Sequence, residues 1–134
     1  LSEKEGGSKK AVSGMPMVQF SLSGMLQLCD EGVLTPEIVI QLMCHNPARL
    51  FCVDKRGFLR PGYKADFVLL RHDEPMILNS SQILSRCGWS PREGDTFNWK
   101  VCQTWVNGQL VWDGQTIACG NAGQPVRFNR KCHN

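Results

Sequence analysis

Histidine is scarce in this chain: His45, His72 and His133 are the three among 134 residues, and they stand in unrelated contexts. No H-x-H pair, no H-E-x-x-H and no C-x-x-C spacing occurs, so no local motif for holding a metal is present. Glycine-rich phosphate loops and the G-x-S-x-G nucleophile turn are missing as well. No apolar run approaches the roughly 18 residues of a membrane span, and no signal-peptide pattern opens the chain. Strong charge of one sign is absent too. The net charge is +3, and Lys9-Lys10 and Arg127, Arg130 and Lys131 read as solvated ends. Neither a membrane nor a nucleic acid is expected as a partner.

What is present is an ordinary soluble composition, 42% hydrophobic and 20% charged, at a length suited to one domain. Seven cysteines look like many, but Cys29, Cys44, Cys52, Cys87, Cys102, Cys119 and Cys132 are odd in number and never closely spaced. Several lie in apolar runs, where a free thiol behaves as a small hydrophobe. This usage points to a reducing, cytoplasmic compartment.

Residues 1–14 are polar, rich in Gly, Ser and Lys, and read as a loop. Leu22, Met25, Leu26 and Cys29 then mark one helical face, with Ser21 as the expected N-cap and Asp30-Glu31-Gly32 as the end. Thr35-Pro36-Glu37 opens a second helix with a capping hydroxyl, an N-terminal proline and an acid at the positive dipole end. Ile38, Val39, Leu42 and Met43 form its apolar stripe. Asn46-Pro47 is expected to break it, with Asn46 capping a third short helix.

After this helical part the pattern turns to strands. Gly57 and Pro61-Gly62 punctuate turns, and residues 65–70 carry the bulky apolar side chains of a buried strand. Asp73-Glu74-Pro75 reads as a turn, and residues 76–84 fit strand or helix. Trp99 to Trp112 is a β-hairpin, since Asn107-Gly108 is a two-residue type I′ turn signal between alternating residues. Apolar groups on both hairpin faces place it inside a larger sheet. Val126 and Phe128 alternate and suit an edge strand. With about four strands the β part is a poor core by itself.

Few residues suggest chemistry. Asp30/Glu31 and Asp73/Glu74 are paired carboxylates, but both pairs sit where helix ends or loops are solvated. His45, beside a helix start, fits a structural role. Gly14, within Ser13-Gly14-Met15-Pro16, allows close backbone approach to a ligand, although on the residues alone a plain loop-to-helix junction is the better explanation.

One family joins these pieces. Asn46-Pro47-Ala48-Arg49-Leu50-Phe51, with Lys55-Arg56-Gly57, Pro61-Gly62-Tyr63 and Ala65-Asp66-Phe67-Val68, resembles the C-terminal signature of the amidohydrolase superfamily. Ser85-Arg86-Cys87-Gly88-Trp89-Ser90-Pro91, with Glu93-Gly94 and the run from Thr104 to Val111, is similar to the dihydroorotase family. Ser13 to Gln19 resembles that family's G-G-I-P-G-V-E segment, departing at Met17 and Gln19.

The resemblance implies an α/β fold, the C-terminal portion of a (β/α)8 TIM-type barrel with an appended small β-sandwich. In this chain that means helices followed by β-strands. Residues 1–53 would form the last active-site loop and terminal barrel helices, and residues 54–134 the sandwich strands and tail. It implies a zinc-dependent hydrolase converting dihydroorotate and N-carbamoyl-L-aspartate reversibly in pyrimidine biosynthesis. Its zinc ligands, and its catalytic residues, would lie upstream of Leu1. Gly14, Met15 and Pro16 correspond to backbone contacts with the substrate ring. The expected partners are the rest of the barrel, the small-molecule substrate and a second copy in a homodimer. A hydantoinase- or allantoinase-like enzyme and a non-catalytic scaffold are the alternatives.

Overall fold

A computed structural model describes residues 4–7, 9–11 and 13–129. Leu1, Arg130, Lys131, Cys132 and His133, for which expectations were given above, lie outside the described residues. Helices come first and antiparallel strands follow, as expected.

A single 3-10 turn, Val18–Phe20, leads into α1, Ser21–Asp30. Ser21 does not cap it. The residue is already helical, and its hydroxyl donates to the Met17 carbonyl at 2.9 Å, tying the helix to the preceding loop. The C-terminus is a Schellman closure in which Val33 N–H donates to the Leu28 carbonyl and Gly32 N–H to that of Cys29.

Thr35 caps the next helix as its sequence requires, its Oγ1 accepting the Ile38 N–H at 3.4 Å. Asn46-Pro47, however, does not break that helix. α2 (Pro36–Ile40) continues through a π turn, Gln41–His45, into α3 (Asn46–Leu50). A proline in a regular helix loses its N–H bond and clashes with the carbonyl four residues back. Here the Asn46 N–H reaches back to the Gln41 carbonyl instead, and the widened turn admits Pro47. Asn46 is therefore a helical residue and not a cap.

The strands form one antiparallel sheet in the order β1-β2-β3, with β1 Phe67–Ile77, β2 Thr96–Val106 and β3 Gln109–Trp112. The expected hairpin is present, and Asn107 adopts φ 51° at its turn. Asp73-Glu74-Pro75 is not a turn between elements but an irregularity inside β1. Pairing passes from His72↔Trp99 to Met76↔Phe97, and Asp73 takes φ 65°. A proline without a donor is tolerated in a strand at such a bulge. The ambiguous stretch 76–84 divides into the end of β1 and a 3-10 turn, Ser80–Gln82. Phe128 forms only an isolated bridge, with Val53, and no strand at the sheet edge.

The buried cluster is small. Phe20, Leu78, Ile83 and Phe97 pack together where the start of α1 meets the sheet, with Phe20 and Phe97 stacked at 6.4 Å. Around it, large apolar side chains face outward, among them Val18 at 93% exposure and Phe51 at 62%. Val101 to Val106 are half-buried on both faces, which matches a strand made for a fuller sheet.

Candidate functional site

The amidohydrolase-like signature folds into a clasp rather than a reaction centre. Arg56 donates to the Asp66 carboxylate, and its second amino group donates to Asn107 Oδ1 at 2.8 Å. Asp66 Oδ1 in turn accepts the Asn107 backbone N–H at 2.7 Å, and Asn107 Nδ2 donates to the Ala122 carbonyl at 2.7 Å. Next to this, Gly57 (φ +78°) lies against α3 so closely that a Cβ would stand 2.5 Å from the Ala48 Cβ and 2.8 Å from the Cys44 carbonyl. Only glycine fits that contact. Helix, turn, strand and hairpin are thereby locked to one another.

The other sequence-selected residues are structural as well. His45 stacks on Phe58 at 4.4 Å, and the Arg60 guanidinium lies 4.5 Å from the same ring. His72 stands between two carboxylates, Nε2 3.1 Å from Asp30 and Nδ1 2.8 Å from Asp73. Asp30 also accepts from Trp99 Nε1 at 2.9 Å and Asn98 Nδ2 at 3.1 Å, so it pins the end of α1 to the sheet. Burial pushes the Asp30 carboxyl up, but those donors outweigh it and hold it below the usual range. Desolvation pushes His72 down, and hydrogen bonds and charges of Asp73 and Asp30 bring it above its ordinary value.

Desolvation raises the Cys29 and Cys44 thiols, which leaves them protonated and weak as nucleophiles. Among the described residues no three His, Cys, Asp or Glu side chains come together as a metal site.

Of the residues selected from the sequence, those in the loop before α1 stay open to a ligand. Gly14 holds φ 91° with open space where a Cβ would stand, and Met15 is 68% exposed. Lys4 Nζ donates to the Gly14 carbonyl, and Met17 N–H donates to that of Met15. Met17 in turn receives Phe20 N–H and Ser21 Oγ, so the loop is anchored to the first turn of α1.

Gln19, one of the two departures from the family string, has a role that the sequence did not disclose. Its Nε2 donates to the Gln82 carbonyl at 2.7 Å and its Oε1 accepts the Leu84 N–H at 2.9 Å. The neutral amide, unlike a carboxylate, offers both functions at once. No local signal announces a partner 63 residues away.

The sequence profile of the Amidohydrolase family matches residues 9–111. The chain belongs to the amidohydrolase family. Dihydroorotase from Halobacterium salinarum is 32% identical over 94% of this chain and 29% of its own length. Dihydroorotase from Syntrophus aciditrophicus is 32% identical over 84% and 26%. Among solved structures, the L-hydantoinase (dihydropyrimidinase) from Arthrobacter aurescens superposes with a TM-score of 0.81 at 30% identity, over 88% of this chain and 27% of that one. A D-hydantoinase, at TM-score 0.75 and 20% identity, shows the same fold.

The chain thus spans less than a third of these relatives. The amidohydrolase neighbours are TIM-barrel hydantoinases, and this chain matches part of one, with helices followed by antiparallel strands.

Proposed function

We propose that this chain is the C-terminal part of a zinc-dependent cyclic amidohydrolase that interconverts dihydroorotate and N-carbamoyl-L-aspartate in pyrimidine biosynthesis. The observation that carries the reading is the family membership together with dihydroorotase relatives aligned over 94% of the chain. Residues 1–53 complete the barrel and its last active-site loop, and residues 54–134 contribute to the sandwich and tail. The remaining barrel is the first partner, and a second copy completes a homodimer. Cys29, Cys44, Cys102 and Cys119 are free thiols, which supports a cytoplasmic location.

Among the described residues no three His, Cys, Asp or Glu side chains gather as a metal site, and in this reading the metal's ligands and the hydrolytic step belong to the rest of the barrel. This chain's own contribution is to position the substrate. Gly14, Met15 and Pro16 present backbone to the ring, held by Met17 and the first turn of α1. In the full-length protein, Gly14→Val should raise KM about tenfold or more, because a β-branched residue resists φ 91°. Met15→Ala should change it little, since the contact uses backbone. Equal KM values for both variants and the wild type would remove the loop from the site.

A hydantoinase reading is favoured by the L-hydantoinase superposition. Turnover of hydantoin without turnover of dihydroorotate would select it.

A further inference from the structure

A second feature lies away from the Gly14 loop. The chain after Ala122 returns to the segment that follows α3. Asp54 N–H donates to the Arg127 carbonyl at 2.8 Å, Asn129 N–H donates to the Cys52 carbonyl at 2.8 Å, and Val53 bridges Phe128. On the other side Lys64 N–H donates to the Lys55 carbonyl at 2.9 Å. These bonds fix the walls of a cleft of about 480 Å³ lined by Asp54, Lys55, Arg56, Lys64, Gln124 and Arg127. Its volume falls in the range of small-molecule sites.

The lining is electropositive. Four cations face one carboxylate, and of the four only Arg56 is paired off, with Asp66 outside the cleft. The guanidinium of Arg56 is aimed by Asp66 and Asn107 and has further N–H groups beyond the two bonds those residues take. Lys64 Nζ donates to Gln124 Oε1 at 3.0 Å and keeps two more donors. Lys55 and Arg127 complete the ring of donors, on backbone that is already stapled. A preformed set of cationic forks and ammonium groups is the recognition chemistry of carboxylate and phosphate.

We propose that this cleft binds a small, multiply charged oxyanion, a phosphorylated or polycarboxylate metabolite, at a site separate from the Gly14 loop. The cleft is larger than a single simple ion, and its four cationic side chains can meet two anionic groups at once. Asp54 sets a limit on the density of negative charge at one end.

The test is calorimetric titration of the full-length protein with pyrophosphate and, separately, with citrate. Saturable binding of either with Kd below about 1 mM is expected, weakening as salt is added. The responding anion tells phosphate from carboxylate chemistry. The double variant Lys55→Gln/Arg127→Gln should bind at least tenfold more weakly, while Lys10→Gln, on an exposed residue elsewhere, should match the wild type. Both altered side chains of the double variant are exposed, so its unfolding midpoint should be unchanged. Absence of binding of both anions, or equal binding by the double variant, would overturn the proposal.

Discussion

Asp66 Oδ1 accepts the backbone N–H of Asn107 at 2.7 Å, joining the start of β1 to the hairpin turn 41 residues further on. The other oxygen of the same carboxylate takes Arg56. One side chain thus satisfies a turn N–H and a guanidinium together. Asp66→Asn keeps an acceptor for only one of them and should destabilise the protein by about 1–3 kcal/mol. Urea unfolding checks this, and a midpoint equal to wild type would show the clasp to be dispensable.

Gly57→Ala should be among the most damaging small substitutions. The added methyl would meet the Ala48 Cβ at 2.5 Å and backbone at Cys44, and the residue would also be held at φ +78°. A loss of more than about 2 kcal/mol is expected. Gly62→Ala is the control, since it has a similar φ of +81° but nothing within 4 Å. It should cost about 1 kcal/mol. Similar losses for the two would mean that packing on α3 adds nothing beyond backbone strain.

His72 links pH to stability. Its folded pKa is raised, so its contribution is complete below the unfolded value, about 6.5, and fades as pH rises through the raised folded value. The Asp30 pKa is lowered, so its contribution is complete above about 3.9 and fades as pH falls through a lower folded value. The staple between α1 and the sheet is therefore strongest between about pH 4 and 6.5. The unfolding midpoint of wild type should drop more between about pH 5.5 and 8 than that of His72→Gln. Parallel profiles would contradict this.

Gln19→Glu restores the residue of the family string but places a carboxylate against the Gln82 carbonyl. It should destabilise the protein at neutral pH by about 1–3 kcal/mol. The deficit should shrink below about pH 4, where a protonated carboxyl donates again. A variant equal to wild type at both pH values would show that segment 82–84 does not depend on the donor.

Features carried by neighbouring residues were legible in the sequence. Thr35-Pro36 announced the start of α2, and Asn107-Gly108 the hairpin, because each signal and its consequence lie within a few residues. Asn46-Pro47 misled, since the helix widens there by one residue into a π turn in which the Asn46 N–H reaches the Gln41 carbonyl, and no local signal announces that turn. Asp73-Pro75 carried true turn chemistry, but β2 continues alongside, and the sheet absorbs it as a bulge. The joining of Arg56, Asp66 and Asn107 was hidden for another reason. It spans 51 residues, and no periodicity reports such a distance. Of the candidate site, Gly14 was legible as a point of close backbone approach, its role and those of Met15 and Pro16 as substrate contacts came only through the family string, and Gln19 was seen there as a departure without its bonds.

The proposed activity is dihydroorotate hydrolysis by the enzyme that this chain completes. It is tested most directly by assaying the zinc-loaded full-length protein with dihydroorotate and with hydantoin side by side. Formation of N-carbamoyl-L-aspartate, with kcat/KM for dihydroorotate well above that for hydantoin, is the predicted result. Hydantoin opening without dihydroorotate turnover, or no turnover of either, would contradict it.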